Sequence, residues 1–207
     1  MRCAFHLLAC YPRFLALSLL LLAAPSRPAL AHEFVVALRA VGAEQEKVVT
    51  AALKGFLLAT AEKDGHADET SNGHLGGLDV YIIPQPNGVT ALFPELIPPP
   101  SGRPDIIVVI GPSDDAAAAM ENADIDSVTI RPGILDNANR WSAAEMQDPK
   151  SFAARYRSAY KQPASRWAAE GYNAARRIDD AIRPLNGVDN RAALNRAFAL
   201  SADGIRW

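Results

Sequence analysis

One segment constrains the fold more than any other: Asp105–Ile110 reads DIIVVI, a run of apolar, mostly β-branched residues that does not alternate with polar ones. A strand with one wet face shows period-two alternation, so an unbroken run predicts burial on both faces, as in a parallel sheet covered by helices. Gly111-Pro112-Ser113 follows it and opens an alanine-rich helix over 114–122. Phe34–Val41 (FVVALRAV), Leu78–Ile83 (LDVYII) and Ser127–Ile130 read as three further short strands. Between the first two, Val48, Val49, Ala52, Leu53 and Phe56 recur at helical spacing and predict a helix over 44–63. Such strand–helix alternation predicts an α/β fold with a doubly wound, mainly parallel sheet flanked by helices. Pro84 and Pro86 should stop the second strand, and the run Pro98-Pro99-Pro100 should end a short helix over 89–97. The polar stretch 64–77 reads as a loop. Beyond Asn137 the pattern changes to helices alone, over 150–161, 165–185 and 190–200.

The amino end reads differently. Residues 1–31 carry Arg2 and Arg13 and no acidic side chain, then the apolar run FLALSLLLLAA over 14–24 and the small-x-small triplet Ala29-Leu30-Ala31. These are the parts of a secretory signal cleaved after Ala31. Eleven apolar residues make a helix of about 16 Å, too short for a hydrocarbon core of about 30 Å, so an uncleaved anchor is disfavoured. The expected mature chain, 32–207, keeps 18 basic and 23 acidic side chains and loses both cysteines, Cys3 and Cys10. Disulfides, thiol catalysis and cysteine metal sites are thereby excluded, and a single ordinary core must hold the chain together. An acidic balance also excludes a general nucleic-acid binder. The expected location is a bacterial periplasm, with no membrane span once the signal is removed.

In an open parallel sheet, ligands bind outside the carboxyl ends of the strands. Three loops qualify: Gly42 to Glu44 after the first strand, Gly111-Pro112-Ser113-Asp114 after the third, and the turn at Gly133 after the fourth. Gly111 would let backbone approach a solute. Ser113 is placed to cap the next helix, whose free N–H groups can hold an anionic group. Neither a Walker lysine nor a G-x-G-x-x-G is present to support nucleotide binding.

At this point the residues point to a family. VVIGPSDDAAAA (108–119) resembles the strand, serine loop and alanine-rich helix of type I periplasmic solute-binding proteins of the branched-chain amino acid-binding kind. FAARYRSAYKQPASRWAAEGYNAARRIDDAI (152–182) is similar to that family's helix pair, and AALNRAFALSADGIRW (192–207) to the approach to the end of its lobe. The resemblance implies a solute-recognition component of an ABC-type uptake system, contacting its permease. Such proteins have two lobes, whereas this chain reads as one lobe, with the second absent between about 134 and 150. Physically, Phe152, Tyr156 and Tyr160 share one helix face, as do Trp167, Gly171, Ala174 and Ile178 on the next helix, so both stripes are read as core.

Asp64, His66, Asp68, Glu69 and His74 cluster in DGHADETSNGH, and cleavage would make His32 the first residue. His32, His66 and His74 are therefore the candidate copper or zinc ligands, against the plainer reading of a solvated loop, which is preferred. Enzyme motifs are lacking: there is no G-x-S-x-G, no H-E-x-x-H and no nucleophilic cysteine after cleavage. Asp179 and Asp180 read as surface charges. Residues 32–149 carry net −11 and 150–207 net +6, read as oppositely charged parts of one fold lying side by side. No catalysis and no cofactor are expected. The leading expectation is a binder of a small polar or amphipathic solute at the strand-end loops. The competing one is an accessory protein that uses the same surface to contact a second protein chain.

Overall fold

The computed structural model describes residues 33–63, 70–122, 126–133 and 143–205. Residues 1–31, expected to form an export signal, His32, His66 and the stretch 134–142 lie outside them.

Five strands form one sheet: β1 (Glu33–Ala40), β2 (His74–Leu75), β3 (Leu78–Gln85), β4 (Ile106–Ile110) and β5 (Val128–Ile130), in the order β2-β3-β1-β4-β5. The pairs β1–β3, β1–β4 and β4–β5 are parallel, and only the short β2 runs antiparallel to β3. Each side chain of β4 is buried, as its lack of alternation requires. On one face, Val36, Leu38, Val80, Ile106 and Val108 join the larger core with α1 (Gln45–Ala61) and the long C-terminal helix. On the other, Ala37, Ile107 and Val109 meet Ala116 of α2 (Ser113–Glu121). Helices thus cover both faces, and the fold is the expected α/β arrangement. Each fully buried leucine or isoleucine contributes about 1.5–3 kcal/mol to it.

Local chemistry explains most boundaries. Ser151, Ser165 and Asn190 accept from Ala154 N, Ala168 N and Ala193 N, and so start α4 (Phe152–Tyr160), α5 (Arg166–Ile182) and α6 (Arg191–Leu200). The strand β3 corrects one expectation by running through Pro84 to Gln85. The amides of Val80 and Ile82 point to the outer side, toward Gly73 O and Asn72 Oδ1. Pro84, two residues on, lacks its donor on that same side, so the ladder to β1 loses nothing. The expected helix over 89–97 is instead a 3-10 helix, Asn87–Leu92. Two short elements were not expected: β2, inside the polar loop, and α3 (Ala143–Gln147).

Helices α1 and α5 cross at backbone contact. A Cβ on Gly55 would lie 1.9 Å from Ala168 O, and one on Gly171 would lie 2.0 Å from Ala52 O. Phe152 and Tyr156 are buried beside this crossing, as their shared face predicts. The opposite charges of the two parts of the chain do meet, in Arg155 with Glu62 and Arg191 with Asp126, while Lys63 with Asp179 pairs them in the reverse sense. Asp179 corrects another expectation. It is 1% exposed, accepts from Gly76 N at 2.7 Å, and pairs with Lys63 and Arg183. Among the described residues, no helix is long and apolar enough to cross a membrane.

Candidate functional site

The chain goes from β1 outward on one side to β3 and then crosses back past β1 to β4 on the other, so strand order reverses between β1 and β4. Two of the expected loops flank that crevice. A Cβ on Gly111 would lie 2.6 Å from Val41 O. The close approach that requires glycine here is therefore made by the preceding loop, which corrects the reading of Gly111 as room for a solute. Gly42 has φ +93°, open to glycine at little cost, and lies against Pro112 and the Asp115 carboxylate. Glu44 is exposed and pairs with Lys47 at 3.1 Å. Gly42 and Glu44 line a shallow, open depression with Pro86, apart from the more enclosed cavity described next.

Helix α2 begins one residue earlier than expected, with Pro112 in the N-cap position and no side chain capping it. Proline supplies a pinned φ and needs no donor, and its carbonyl accepts the first helical bond from Ala116 N at 2.9 Å. Ser113 is thus not the cap. It is the exposed first residue of the helix, and its side chain lines a cavity of about 540 Å³. Asp114 and Asp115 complete the first turn, where acids suit the helix dipole.

This cavity lies at the carboxyl ends of β4 and β5. Ser113 and the segment from Thr129 to Gly133 form one wall, and Arg166, Glu170 and Arg177 of α5 another. Phe198 and Ala199 of α6 close it on an apolar side. Gly133 reaches the cavity too, but its close neighbour is the chain itself: a Cβ there would lie 2.8 Å from Gly204 Cα. Ser113 and Gly133 are thus brought together, while Gly42 and Glu44 lie in the separate depression.

The polar walls come from residues that the sequence did not single out. Glu170, Asn173 and Arg177 are three and four apart on α5, and all three are buried. Asn173 donates to Pro132 O and accepts from Ile205 N, joining the turn after β5 to the last described loop. Arg177 donates to Arg131 O, to Phe198 O at 2.8 Å and to Ser201 Oγ at 3.1 Å. Burial lowers its pKa to about 10, against the nearby Asp203, which raises it. Glu170 pairs with Arg166 at 2.7 Å. The signal for this wall was a polar i, i+3, i+7 stripe inside an alanine- and glycine-rich helix.

Burial is the largest influence on the Glu170 carboxyl and pushes its pKa up, against the pull of Arg166 and Arg131. A raised folded value means the folded chain holds this proton more tightly than the unfolded one. The associated stability is complete below the unfolded value of about 4.3 and is lost as pH rises through the folded value. Glu170→Gln is therefore expected to unfold at a higher temperature than the native chain at pH 7, with the gap closing below pH ~4. Thermal unfolding of both proteins across pH 3.5–7.5 checks it; a variant less stable at pH 7 would contradict the sign.

His74 is held at the far, amino-terminal end of the sheet by Asp79, 2.8 Å from its Nε2. Among the described residues, no three His, Cys, Asp or Glu side chains are grouped to hold a metal ion. His66 and His32 lie outside those residues. No family model, no curated protein and no solved structure matches the chain.

Proposed function

We propose that the chain is a periplasmic solute-binding protein of the type I kind reduced to one lobe, which holds a small polar or amphipathic solute for an ABC-type uptake system. The observation that carries this reading is the cavity at the carboxyl ends of β4 and β5, where Ser113, Arg131, Arg166 and Glu170 converge over an apolar base. Its volume of about 540 Å³ is in the range of small-molecule sites. The position is also where open α/β sheets place their ligands. The resemblance of 108–119 and 152–182 to the binding-protein family supports the transport role. With one lobe, the solute stays partly exposed and binds weakly unless a second chain closes the site.

The competing reading, an accessory protein docking through the strand ends, calls for an apolar patch there. The exposed large apolar side chains among the described residues are Leu92 and Leu200, on two separate elements, which favours the solute reading. Thermal unfolding of the purified protein against amino acids, carboxylates, amides and alcohols tests it. A solute at a hundred times its dissociation constant is expected to add about 2.7 kcal/mol, and Ser113→Ala to weaken that response. A cooperative transition that no solute moves would reject the reading and put partner binding in its place.

A further inference from the structure

The charges around the cavity do not balance. Three guanidiniums, Arg131, Arg166 and Arg177, line it against two carboxylates, Glu170 and Asp203. Arg166 and Glu170 are spent on each other. Arg177 is 3% exposed, yet among the described residues no carboxylate lies within ion-pair distance of it. Its hydrogen bonds go instead to two backbone carbonyls and one hydroxyl. A guanidinium has five N–H groups in a planar fork, so these three bonds leave donors for a ligand. The Arg177 guanidinium also faces the Phe198 ring, 5.8 Å from the centroid, and the Asp203 carboxylate is near it but beyond ion-pair distance, so the charge is only partly offset. In the same lining, Thr129 Oγ1 is buried with no hydrogen-bond partner among the described residues. Hydrocarbon also lines the cavity, from Ile130, Phe198 and Ala199.

We propose that Arg177 and Arg131 form a recognition point for a small monocarboxylate, whose carbon skeleton lies on Ile130, Phe198 and Ala199. This rests on the solute-binding reading and narrows it to one ligand class. A single negative charge matches the excess of one positive charge. The apolar side distinguishes an organic acid from a bare oxyanion, which would leave most of the cavity unfilled.

The test is calorimetric titration of the purified protein, in low-chloride buffer, with hexanoate, hexanamide, hexylamine and inorganic phosphate. Hexanoate is expected to bind saturably, and the neutral amide and the amine about tenfold or more weaker. Arg131→Gln is expected to weaken hexanoate by about the same factor, with Arg131→Lys recovering part of it. That variant keeps the Arg131 carbonyl on which Arg177 rests, so it decides the matter even where Arg177→Lys does not fold. Amide or amine binding as tight as hexanoate would overturn the charge assignment, and phosphate binding as tight would overturn the hydrocarbon one. An inert hexanoate series, with some other solute stabilising the protein in the thermal screen, would overturn this inference and leave solute binding standing. Silence in both experiments would overturn the solute-binding reading itself.

Discussion

Gly171→Leu is expected to leave the protein largely unfolded at room temperature, and Gly171→Ala to cost about 3 kcal/mol or more. The reason is backbone contact. A Cβ at this position would lie 2.0 Å from Ala52 O and 2.6 Å from Ala52 C, in a helix that cannot shift without moving the sheet contacts of α1. Flexible side chains can yield to a new methyl group, but a helical carbonyl cannot. Gly55, placed reciprocally under Ala168 O, should behave alike. Gly88 is the control: nothing lies within 4 Å of its Cβ position, so Gly88→Ala should stay within about 0.5 kcal/mol of the native chain. Urea unfolding followed by circular dichroism measures all of them. A Gly171→Ala variant as stable as the native chain would mean that α1 and α5 cross farther apart than described. Against a typical net stability of about 5–15 kcal/mol, the alanine change alone consumes a sizeable part of the margin and the leucine change exceeds it.

The second large effect is expected at Asp179. Asp179→Ala removes the acceptor of Gly76 N and the shared partner of Lys63 and Arg183. Loss of a buried charged acceptor is expected to cost about 1.5–3 kcal/mol, and the two cations, being partly exposed, add little. Burial by itself would raise the Asp179 pKa, but the Gly76 N–H, Lys63 and Arg183 outweigh it and hold the carboxyl below the usual range. A depressed folded value contributes stability that is present above the unfolded value of about 3.9 and lost as pH falls through the folded value. The native chain should therefore lose stability more steeply than Asp179→Ala between pH 4 and pH 2, so the two curves converge in acid. Parallel curves across that range would mean that the carboxylate is not held by these partners. Glu170, nine residues earlier on the same helix, is expected to show the opposite sign of pH dependence. The contrast follows from the partners: a backbone N–H and two cations at Asp179, one half-exposed arginine in contact at Glu170.

The two carboxylates also show how far the chain could be read before its structure. Periodicity is a local property, so β1, β4, α1 and the paired C-terminal helices were legible from spacing alone. The unbroken apolar run of β4 already required helices on both faces, because no other arrangement buries every side chain of a strand. The turn chemistry was less legible: Ser151, Ser165 and Asn190 cap their helices, roles not assigned from the sequence. Ser113 did not follow, because Pro112 can hold the N-cap position through its own geometry without a side-chain hydrogen bond. The loops after β1 and β4 lie at the carboxyl ends of the strands, and the glycines there make room for neighbouring chain segments. Which atom approaches a glycine is decided by residues distant in sequence, Val41 for Gly111 and Gly204 for Gly133.

From its residues alone the chain specified its longer strands and helices, though not β2 or α3, and that the sheet is buried on both faces, because these follow from the spacing of apolar side chains along a few turns or pleats. Only the tertiary structure placed the polar stripe of α5 inside the protein. Glu170, Asn173 and Arg177 form one polar stripe, and Asp179 lies on the opposite side of the helix. The carbonyls after β5 and in α6 and the Gly76 amide that hold Asn173, Arg177 and Asp179 come from positions far along the chain. Buried polar groups persist only where such partners exist, and long-range packing, not local pattern, determines where they are.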